Sequence, residues 1–430
     1  MRVFPKVASK RRAVWGVLVL WGVLAVLVTG QGSVLTAGSA FAGHVSTPDV
    51  HTPAGRVVLV LINRLSLNDV SSHPRWQELA AGSWFGGMTL KTARGHGDVH
   101  QAVTLGAGAL AAGHKDVSGF DADEWVEAAG GTAADWYRQM TGRALHEGVL
   151  VPAIGLLVRE NEPSSRFPAV PGALGTRIQE AGGMTAVFGN SDRGTKPKRL
   201  APLVTMDETG WTPWGEVGRG MVRSAPDRPF GVATHYERML VQLRQLPPDV
   251  WLAVFELGDL DRLAAVRQKM AVGHAELLRR QILSEMADFV QVLISWLRPG
   301  DSLWVVSPMV DEDSYQKGMW LAPVLWWPTP SAGGGLLVSD STRRAGFVTN
   351  LDVTATILAQ LGIPRPAGMA GRPLRPAASS EPVEPTGFYG RETTLKQAAF
   401  WDELARTQWA HQLRPQVLRP HVFLQMGLML

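Results

Sequence analysis

The sequence contains no cysteine among its 430 residues. The protein therefore forms no disulfide bond, and it offers neither a thiolate nucleophile nor the cysteine ligands of a zinc finger. This absence assigns no compartment, because exported proteins often lack cysteine. Cysteine nucleophiles and zinc fingers are thus the first functional classes that the sequence excludes.

Most of the chain also lacks a net charge, although the sequence pI is about 9.5. Of the 42 basic and 38 acidic residues, five basic and no acidic ones lie in residues 1–42. The remainder is therefore balanced, at 37 basic against 38 acidic residues. Proteins that bind nucleic acid neutralise its phosphates with a basic surface. The sequence predicts no nucleic-acid partner, and the basic excess belongs to a targeting segment.

The amino terminus combines those basic residues with an apolar run over 13–28. This layout is typical of a signal peptide or of an amino-terminal membrane anchor, and a buried helix of a soluble protein is the third interpretation. Ala40-Phe41-Ala42 offers a small-residue cleavage site, so cleaved and uncleaved forms both stay open. In either form we expect the rest of the chain to be extracytoplasmic, on the cell membrane or secreted.

Strand-like and helix-like segments alternate along most of the remaining chain. Arg56–Ile62 is a continuous apolar run rich in β-branched residues, which is typical of a strand buried on both faces. Further runs, among them Trp84–Leu90, Gly148–Leu157 and Trp251–Phe255, are predicted as strands with helices between them. The sequence therefore predicts an α/β fold with a doubly wound, mostly parallel sheet.

The division of the chain into domains follows its composition. We expect a signal peptide or membrane anchor over 1–42, a linker over 43–55, an α/β domain over 56–375, a proline-rich linker over 376–391, and an amphipathic helix with an apolar tail over 392–430. Residues 195–230 are irregular and contain tryptophan, which favours a cap inserted in the domain. The tail is expected either to pack on the protein or to begin a membrane segment.

Polar residues follow the predicted strands at the positions where open α/β sheets bind ligands. Asn63 follows the first strand, and Asp259 and Asp261 follow the strand Trp251–Phe255. One interpretation is that the two carboxylates bind a cation or act as a general base. The other is that they cap a helix and pair with Arg262. Both stay open.

Two further sets of candidates come from loops. His96, Asp98 and His100 lie in a loop with several glycines, and they are candidates for an unorthodox metal or acid–base cluster. The alternative is a solvated loop in which Asp98 caps the next helix. Arg343 and Arg344 are candidates for holding an anionic group such as a phosphate, or they lie on the surface beside a helix carboxyl end.

Three stretches carry a more specific pattern, namely Thr104–Gly108, Trp251–Asp261 and Gly346–Pro364 with Gly371–Leu374 after it. Together they resemble the alkaline-phosphatase-like superfamily, whose core is shared with sulfatases and cofactor-independent phosphoglycerate mutases. In the third stretch Asp352, predicted as a helix N-cap, begins a sequence similar to D-x-x-P-T-x-L-x-x-L-G, with Ala355 in place of the proline. The resemblance covers roughly residues 56–375 and is strongest to a group of uncharacterised, membrane-attached bacterial members.

The resemblance implies a two-metal site. Active members of the superfamily hold two metal ions with Asp and His ligands and attack with a Thr or Ser beside them. The candidates in this chain are, for metal, Asn63, His100, Asp259 and Asp261, and for catalysis, His96, Asp98 and Asp261.

Several positions depart from the pattern that the superfamily shows. Asn63 replaces the expected Asp, the loop over 96–100 offers no hydroxyl, and Leu263 and Ala265 occupy the places of the expected histidine. Pro308-Met309 replaces an Asp-His pair. The sequence therefore predicts that the ordinary metal site is lost and that no cofactor is bound. A divalent ion, whether zinc, manganese or magnesium, is the alternative.

Three functions remain open at this point. The first is a membrane-tethered, extracytoplasmic protein without hydrolase activity. It would bind an anionic ligand, the membrane or an envelope protein through the cleft that holds the metal ions in active members of the superfamily. The second is a phosphatase-like or sulfatase-like hydrolase, or a phosphoglycerol transferase, with a rearranged metal site. The third is an assembly subunit whose function depends on membrane segments beyond Leu430.

Overall fold

The apolar run at Arg56–Ile62 forms a strand near the middle of a mixed sheet. The structure, a computed structural model, describes residues 53–163, 165–329, 334–377, 398–409 and 425. They belong to one compact unit, Asp49–Leu430. No helix among the described residues is long and apolar enough to span a membrane. The predicted signal or anchor segment over 1–42 and the first ten residues of the predicted linker over 43–55 lie outside the described residues. So do residues 378–391 of the predicted linker over 376–391 and, in the predicted helix and tail over 392–430, residues 392–397, 410–424 and 426–430.

The elements alternate as the sequence predicts. The strands of the described chain are β1 (Val57–Leu61), β2 (Trp84–Thr89), β3 (Phe120–Asp121), β4 (Trp125–Val126), β5 (Gly131–Thr132), β6 (Val149–Leu150), β7 (Met184–Asn190), β8 (Trp211–Thr212), β9 (Trp214–Glu216), β10 (Val222–Ser224), β11 (Val232–Thr234), β12 (Val250–Leu257), β13 (Ser302–Val306), β14 (Ala322–Pro328), β15 (Gly335–Val338), β16 (Phe347–Thr349) and β17 (Arg375–Pro376).

Helices connect most of these strands. They are α1 (Leu67–Ser72), α2 (Pro74–Ala81), α3 (Asp98–Ala107), α4 (Ala133–Thr141), α5 (Ile154–Glu160), α6 (Ala173–Glu180), α7 (Pro202–Thr205), α8 (Tyr236–Arg244), α9 (Asp259–Val266), α10 (Val272–Trp296), α11 (Glu312–Gln316) and α12 (Asn350–Gln360). Residues 398–409 form a further helix.

The main sheet has the strand order β17-β15-β2-β14-β13-β1-β12-β7-β9, with β16 also paired to β2. Pairing is parallel from β13 through β1, β12 and β7 to β9, and also between β2 and both β15 and β16. Strands β14 and β17 run against their neighbours. The prediction of an α/β fold with a mostly parallel sheet is thus confirmed.

Alternate side chains of β1 face two different helix layers. Leu59 and Leu61 pack in one apolar cluster with residues of α3, α6 and α12. Val58 and Val60 pack in the other with residues of α2, α9 and α10. Each such side chain stabilises the fold by about 2 kcal/mol when it leaves water. Burial on both faces explains why the strand reads as an unbroken apolar run.

The strand predicted at Gly148–Leu157 is wrong beyond Leu150. Strand β6 is two residues long, and α5 begins at Ile154. Pro152 has no backbone N–H and so cannot donate a hydrogen bond to a neighbouring strand. Ile154 and Leu157 are then buried at helical spacing. The apolar run therefore covers two elements, the strand β6 and the start of the helix α5. Hydrophobicity over a short segment does not distinguish a strand from a buried helix.

The sequence predicted Asp352 as the N-cap of α12, and this prediction is wrong. Thr349 is the N-cap, and Asp352 lies three residues later in a capping box. The buried Asp352 carboxylate accepts hydrogen bonds from the hydroxyls of Ser339 and Ser341, each at 2.7 Å, and from the backbone N–H of Thr349 and Arg372, each at 2.8 Å. The signature helix is thus fixed by one carboxylate that joins three segments.

The two segments predicted outside the main α/β core also contact it. Within 195–230, strand β9 pairs with β7 at the edge of the main sheet, and β10 forms a hairpin with β11. In the helix over 398–409, Phe400 is buried and its ring lies 5.3 Å from that of Phe85 in β2, between ring centroids. Both segments therefore contribute to the domain's packing.

We predict that Asp352→Ala destabilises the protein by about 3 kcal/mol, because it leaves two hydroxyls and two backbone donors without their charged acceptor. Urea unfolding followed by circular dichroism measures the change. Asp340→Ala is the matched control, since Asp340 is 65% exposed and pairs only with the exposed Arg375 among the described residues. We expect that control to cost less than about 1 kcal/mol. Equal effects of the two variants would contradict the role of Asp352.

Candidate functional site

Four neighbouring parallel strands, β13, β1, β12 and β7, end at one edge of the sheet. Asn63 and Arg64 follow β1, and Asp261 lies in the first turn of α9 after β12. A Cβ at Gly258 would lie 2.1 Å from the carbonyl oxygen of Asn190. A glycine is therefore required for the tight passage from β12 into α9, and that passage aims Asp261 at the end of β1.

Asp261 has no exposed surface. Its Oδ1 accepts hydrogen bonds from Asn63 Nδ2 at 2.7 Å and from Lys198 Nζ at 2.8 Å. Its Oδ2 accepts from Arg193 Nη2 at 2.7 Å and from Arg193 Nε at 3.2 Å. The carboxylate is thus held by one amide and two cations, so its buried negative charge is compensated.

Asp98 is the second carboxylate of the site and begins α3. Its Oδ2 accepts from Lys198 Nζ at 2.6 Å and from Asn63 Nδ2 at 2.9 Å. Burial opposes ionisation, but Lys198, Arg64 and Asn63 outweigh it and hold the pKa of Asp98 at about 2. Asp98 is therefore ionised at neutral pH and shares the Lys198 ammonium with Asp261.

Arg64 supplies the third cation. Its Nε lies 3.6 Å from Asp261 Oδ1, and its Nη2 lies 3.9 Å from Asp98 Oδ2. Its backbone has a φ of 74°, a left-handed conformation that costs a non-glycine residue about 1 kcal/mol or more. Buried Arg64 Nε and Asn63 Oδ1 have no hydrogen-bond partner among the described residues. We call Asn63, Arg64, Asp98, Arg193, Lys198 and Asp261 the ion-pair centre.

Asp259 does not belong to the ion-pair centre. Its carboxylate accepts from Arg262 Nη2 at 2.9 Å, from Thr234 N–H at 3.1 Å and from the Tyr236 hydroxyl at 3.2 Å. Desolvation and the Asp259 charge together raise the pKa of Tyr236 above its usual value. For Asp259 the structure favours the pairing interpretation, whereas Asp261 faces the strand ends.

The two candidate histidines lie apart from the buried carboxylate. His96 is exposed, and its ring lies 5.2 Å from that of Tyr315, between centroids. His100 Nδ1 accepts the backbone N–H of Gly113 at 2.7 Å, and burial lowers the pKa of His100. Neither histidine hydrogen-bonds to Asp98 or Asp261 in the described part of the chain. They are therefore not assembled with Asp261 into one acid–base or metal cluster.

The two candidate arginines are exposed and lie elsewhere. Arg344 pairs with Glu403 in the helix over 398–409, and its guanidinium lies 4.9 Å from the centroid of the Phe347 ring. Arg343 has a φ of 56° in the turn that precedes β16. This placement matches the surface interpretation of Arg344, which contacts a neighbouring helix.

The residues of the ion-pair centre do not fit a divalent metal ion. Within the described residues, no group of three or more histidine and carboxylate side chains is placed to hold one. Asp98 and Asp261 carry the hard oxygens that Mg²⁺ or Mn²⁺ prefers. However, Arg64, Arg193 and Lys198 lie within 4 Å of those oxygens and would repel a divalent cation.

Sequence reasoning missed the three cations. Arg64 directly follows the predicted ligand position Asn63 but is not among the predicted site residues. Arg193 and Lys198 lie in the polar loop after the strand that ends at Asn190. The available signal was that this loop follows a neighbouring parallel strand, so its side chains reach the same edge as Asp261.

By sequence, the chain matches no protein-family model and no curated protein. The solved structures that match it include a protein in the alkaline phosphatase superfamily from Vibrio parahaemolyticus, with 11% identity and a TM-score of 0.46, over 75% of this chain and 71% of that chain. They also include the lipoteichoic acid synthase LtaP from Listeria monocytogenes, with 10% identity and a TM-score of 0.40, over 74% and 75%.

Alkaline phosphatase from the Antarctic bacterium TAB5 matches as well, with 8% identity and a TM-score of 0.39, over 72% of this chain and 99% of that chain. The superfamily that the sequence resembles is thus also found among the structures that match the chain.

We predict that Lys198→Met makes the protein less stable at neutral pH by about 2 kcal/mol, because the Asp98 and Asp261 carboxylates lose a shared counter-ion. The pKa of Asp98 is depressed in the folded protein. Its contribution to stability is therefore full above the ordinary Asp pKa of about 4 and is lost as the pH falls towards about 2. The difference between variant and wild type should accordingly shrink between pH 4 and pH 2.

Urea unfolding at a series of pH values measures this difference. Lys196→Met is the control, because Lys196 is exposed in the same loop and has no ion pair among the described residues. A stability difference for Lys198→Met that does not vary with pH would contradict the shared ion pair.

Proposed function

We propose that this chain is a binding protein rather than a metal-dependent hydrolase, and that its ligand site is the ion-pair centre. The observation that carries the proposal is the Lys198 ammonium, which lies 2.6 Å from Asp98 and 2.8 Å from Asp261. Both carboxylates are thereby occupied by cations of the chain itself. They are not available as ligands or bases in the manner of the hydrolases that the sequence resembles.

The hydroxyl groups that flank the loop over 96–100 support the same conclusion. Thr92 Oγ1 donates to the carbonyl of Gly95, at 2.5 Å. Thr104 is fully buried, and its hydroxyl bonds to the backbone of Ala111. A nucleophile needs an adjacent base and access to substrate. Neither threonine has both.

The charge of the centre points to an anionic ligand. Three cations face two carboxylates, so the group has a net charge of +1. The side chains of Arg193, Arg64 and Lys198 are 30%, 20% and 18% exposed, against 15% for Asp98 and 0% for Asp261. The accessible part of the centre is therefore mainly cationic. Guanidinium groups suit carboxylate and phosphate oxygens, which they bind with paired N–H donors.

The amino-terminal sequence supports a location on the outer face of the membrane. Basic residues followed by the apolar run over 13–28 are typical of an anchor or a signal peptide. We therefore propose a membrane-tethered, extracytoplasmic protein whose ligand is an anionic group of an envelope component. Separating the membrane fraction and testing it for protease accessibility from outside the cytoplasm would check this location.

We predict that protein purified without chelators carries no stoichiometric zinc, manganese or magnesium and does not hydrolyse p-nitrophenyl phosphate. Elemental analysis and a chelator-treated activity control measure both. Inorganic phosphate should raise the melting temperature, because it binds the folded centre. Arg64→Gln should weaken phosphate binding about tenfold, since it removes one charged donor.

Arg138→Gln is the matched control, because Arg138 is exposed on α4 and pairs with Asp135. It should leave phosphate binding unchanged. One metal ion or more per chain, together with phosphatase activity that a chelator removes, would overturn the proposal and favour a rearranged hydrolase site.

A further inference from the structure

The two cations that contact Asp261 most closely come from one loop. Residues 191–200, here called the cation loop, follow β7 and contain both Arg193 and Lys198. Arg193 N–H bonds to the carbonyl of Lys196 at 3.0 Å, which turns the loop back on itself. The two charged side chains thus reach Asp261 from the same short segment.

One buried carboxyl group holds both ends of the cation loop. Glu256 in β12 accepts the Ser191 hydroxyl at 2.6 Å and the backbone N–H groups of Leu200 and Ala201 at 2.7 and 2.9 Å. Burial raises the pKa of Glu256 to about 7. The ends of the loop are therefore fixed to the strand that leads to Asp261.

Arg199 is a third point at which the cation loop is fixed to the rest of the protein. Its buried guanidinium pairs with Glu124 and with Asp192, and it lies 5.2 Å from the centroid of the Phe120 ring. Arg199 thus faces away from the ion-pair centre, while Lys198 beside it faces in. The loop is fixed at both ends by Glu256 and beside Lys198 by Arg199. The Lys198 ammonium therefore has a defined position.

That position is one that a divalent ion would take. Lys198 Nζ lies within 2.8 Å of one oxygen from each carboxylate, Asp98 Oδ2 and Asp261 Oδ1. Divalent ions bind carboxylate oxygens at about 2.0–2.6 Å. An ammonium here delivers positive charge to the same two oxygens.

We propose that the cation loop is a built-in substitute for divalent metal, with Lys198 and Arg193 supplying the charge that holds Asp98 and Asp261 in place. This inference rests on the proposed function, because it explains why the centre takes no metal. It also makes a separate claim, namely that these two side chains are the main barrier to the metal, because they lie 2.6–2.8 Å from the carboxylate oxygens whereas Arg64 lies 3.6 and 3.9 Å from them.

The groups that remain without the two cations form a set of oxygen ligands. They are the carboxylates of Asp98 and Asp261 and, once its amide rotates, Oδ1 of Asn63. In the structure the Nδ2 of this amide donates to both carboxylates, and its Oδ1 has no hydrogen-bond partner among the described residues. Such a set suits manganese, magnesium or calcium better than zinc, which favours nitrogen and sulfur. Removal of the two cations should therefore create an affinity for these ions.

The test is the titration of full-length Lys198→Ala/Arg193→Ala protein with Mn²⁺ and with Ca²⁺ by isothermal calorimetry, with thermal unfolding measured alongside. We expect this variant to bind Mn²⁺ at least about tenfold more tightly than wild type and to be stabilised by it. Lys196→Ala/Arg219→Ala is the matched control, because it removes the same charge from two exposed residues. That control should bind Mn²⁺ as weakly as wild type.

A further variant assigns the ligands. Adding Asp98→Asn and Asp261→Asn to the double variant should abolish the new affinity, since it removes both carboxylates. If the double variant does not fold without metal, recovery of its circular dichroism in Mn²⁺ supports the proposal. Lys198→Gln, which keeps a polar side chain in place, is then titrated as well.

Folded variants with no gain in Mn²⁺ affinity would overturn the proposal, as would equal binding by the wild type or by the exposed-charge control. The outcome is separable from that of the phosphate experiment. Wild-type protein that binds phosphate, combined with variants that gain no metal, would leave the proposed function standing and reject the role of the cation loop.

Discussion

The negative charge of Asp261 is the constraint on which the carboxyl-terminal edge of the sheet depends. A carboxylate without exposed surface costs several kcal/mol unless charged donors surround it. Here the donors come from distant parts of the sequence, namely Asn63 after β1 and the pair Arg193 and Lys198 after β7. Three neighbouring parallel strands have to end at the same level for these groups to meet. The sheet register and the ion-pair centre therefore stabilise each other.

The same centre also constrains the backbone. Arg64 adopts a left-handed conformation that a glycine would adopt without strain, yet the chain carries an arginine there. The strained turn brings the guanidinium over both Asp98 and Asp261. Asn63, beside it, donates to both carboxylates as well. A single turn after β1 thus serves both carboxylates, which the longer cation loop approaches from the other side.

The sequence was informative about the fold because buried parallel strands leave an unbroken apolar signal, as in Arg56–Ile62. It was less informative at Gly148–Leu157, because one apolar run there covers a short strand and the start of a helix. For the site, position after a strand correctly singled out Asn63 and Asp261 as residues of that edge. It did not separate Asp261 from Asp259, two residues away, because the helical turn that points them in different directions is not visible in composition.

The cations were harder to predict for a physical reason. Arginine and lysine are common on surfaces, and a loop such as 191–200 shows no periodicity that would mark one side chain as inward-facing. Their role follows only from the path of the loop, which the buried Glu256 and Arg199 determine through contacts distant in sequence. Likewise the contact of Arg344 with Glu403 depends on the helix over 398–409, which is distant in sequence and packs against β2 through Phe400.

Tethering gives the Lys198 ammonium a property that no dissolved ion has. Its local concentration beside Asp98 and Asp261 is set by the length and anchoring of a few residues, and it does not fall when the surroundings are diluted. A metal ion in the same place would bind and dissociate as its concentration in the surroundings changes. Because the positive charge is on a side chain of the protein itself, the charge at this edge of the sheet stays the same. It does not depend on whether metal is abundant, scarce or held by competing ligands.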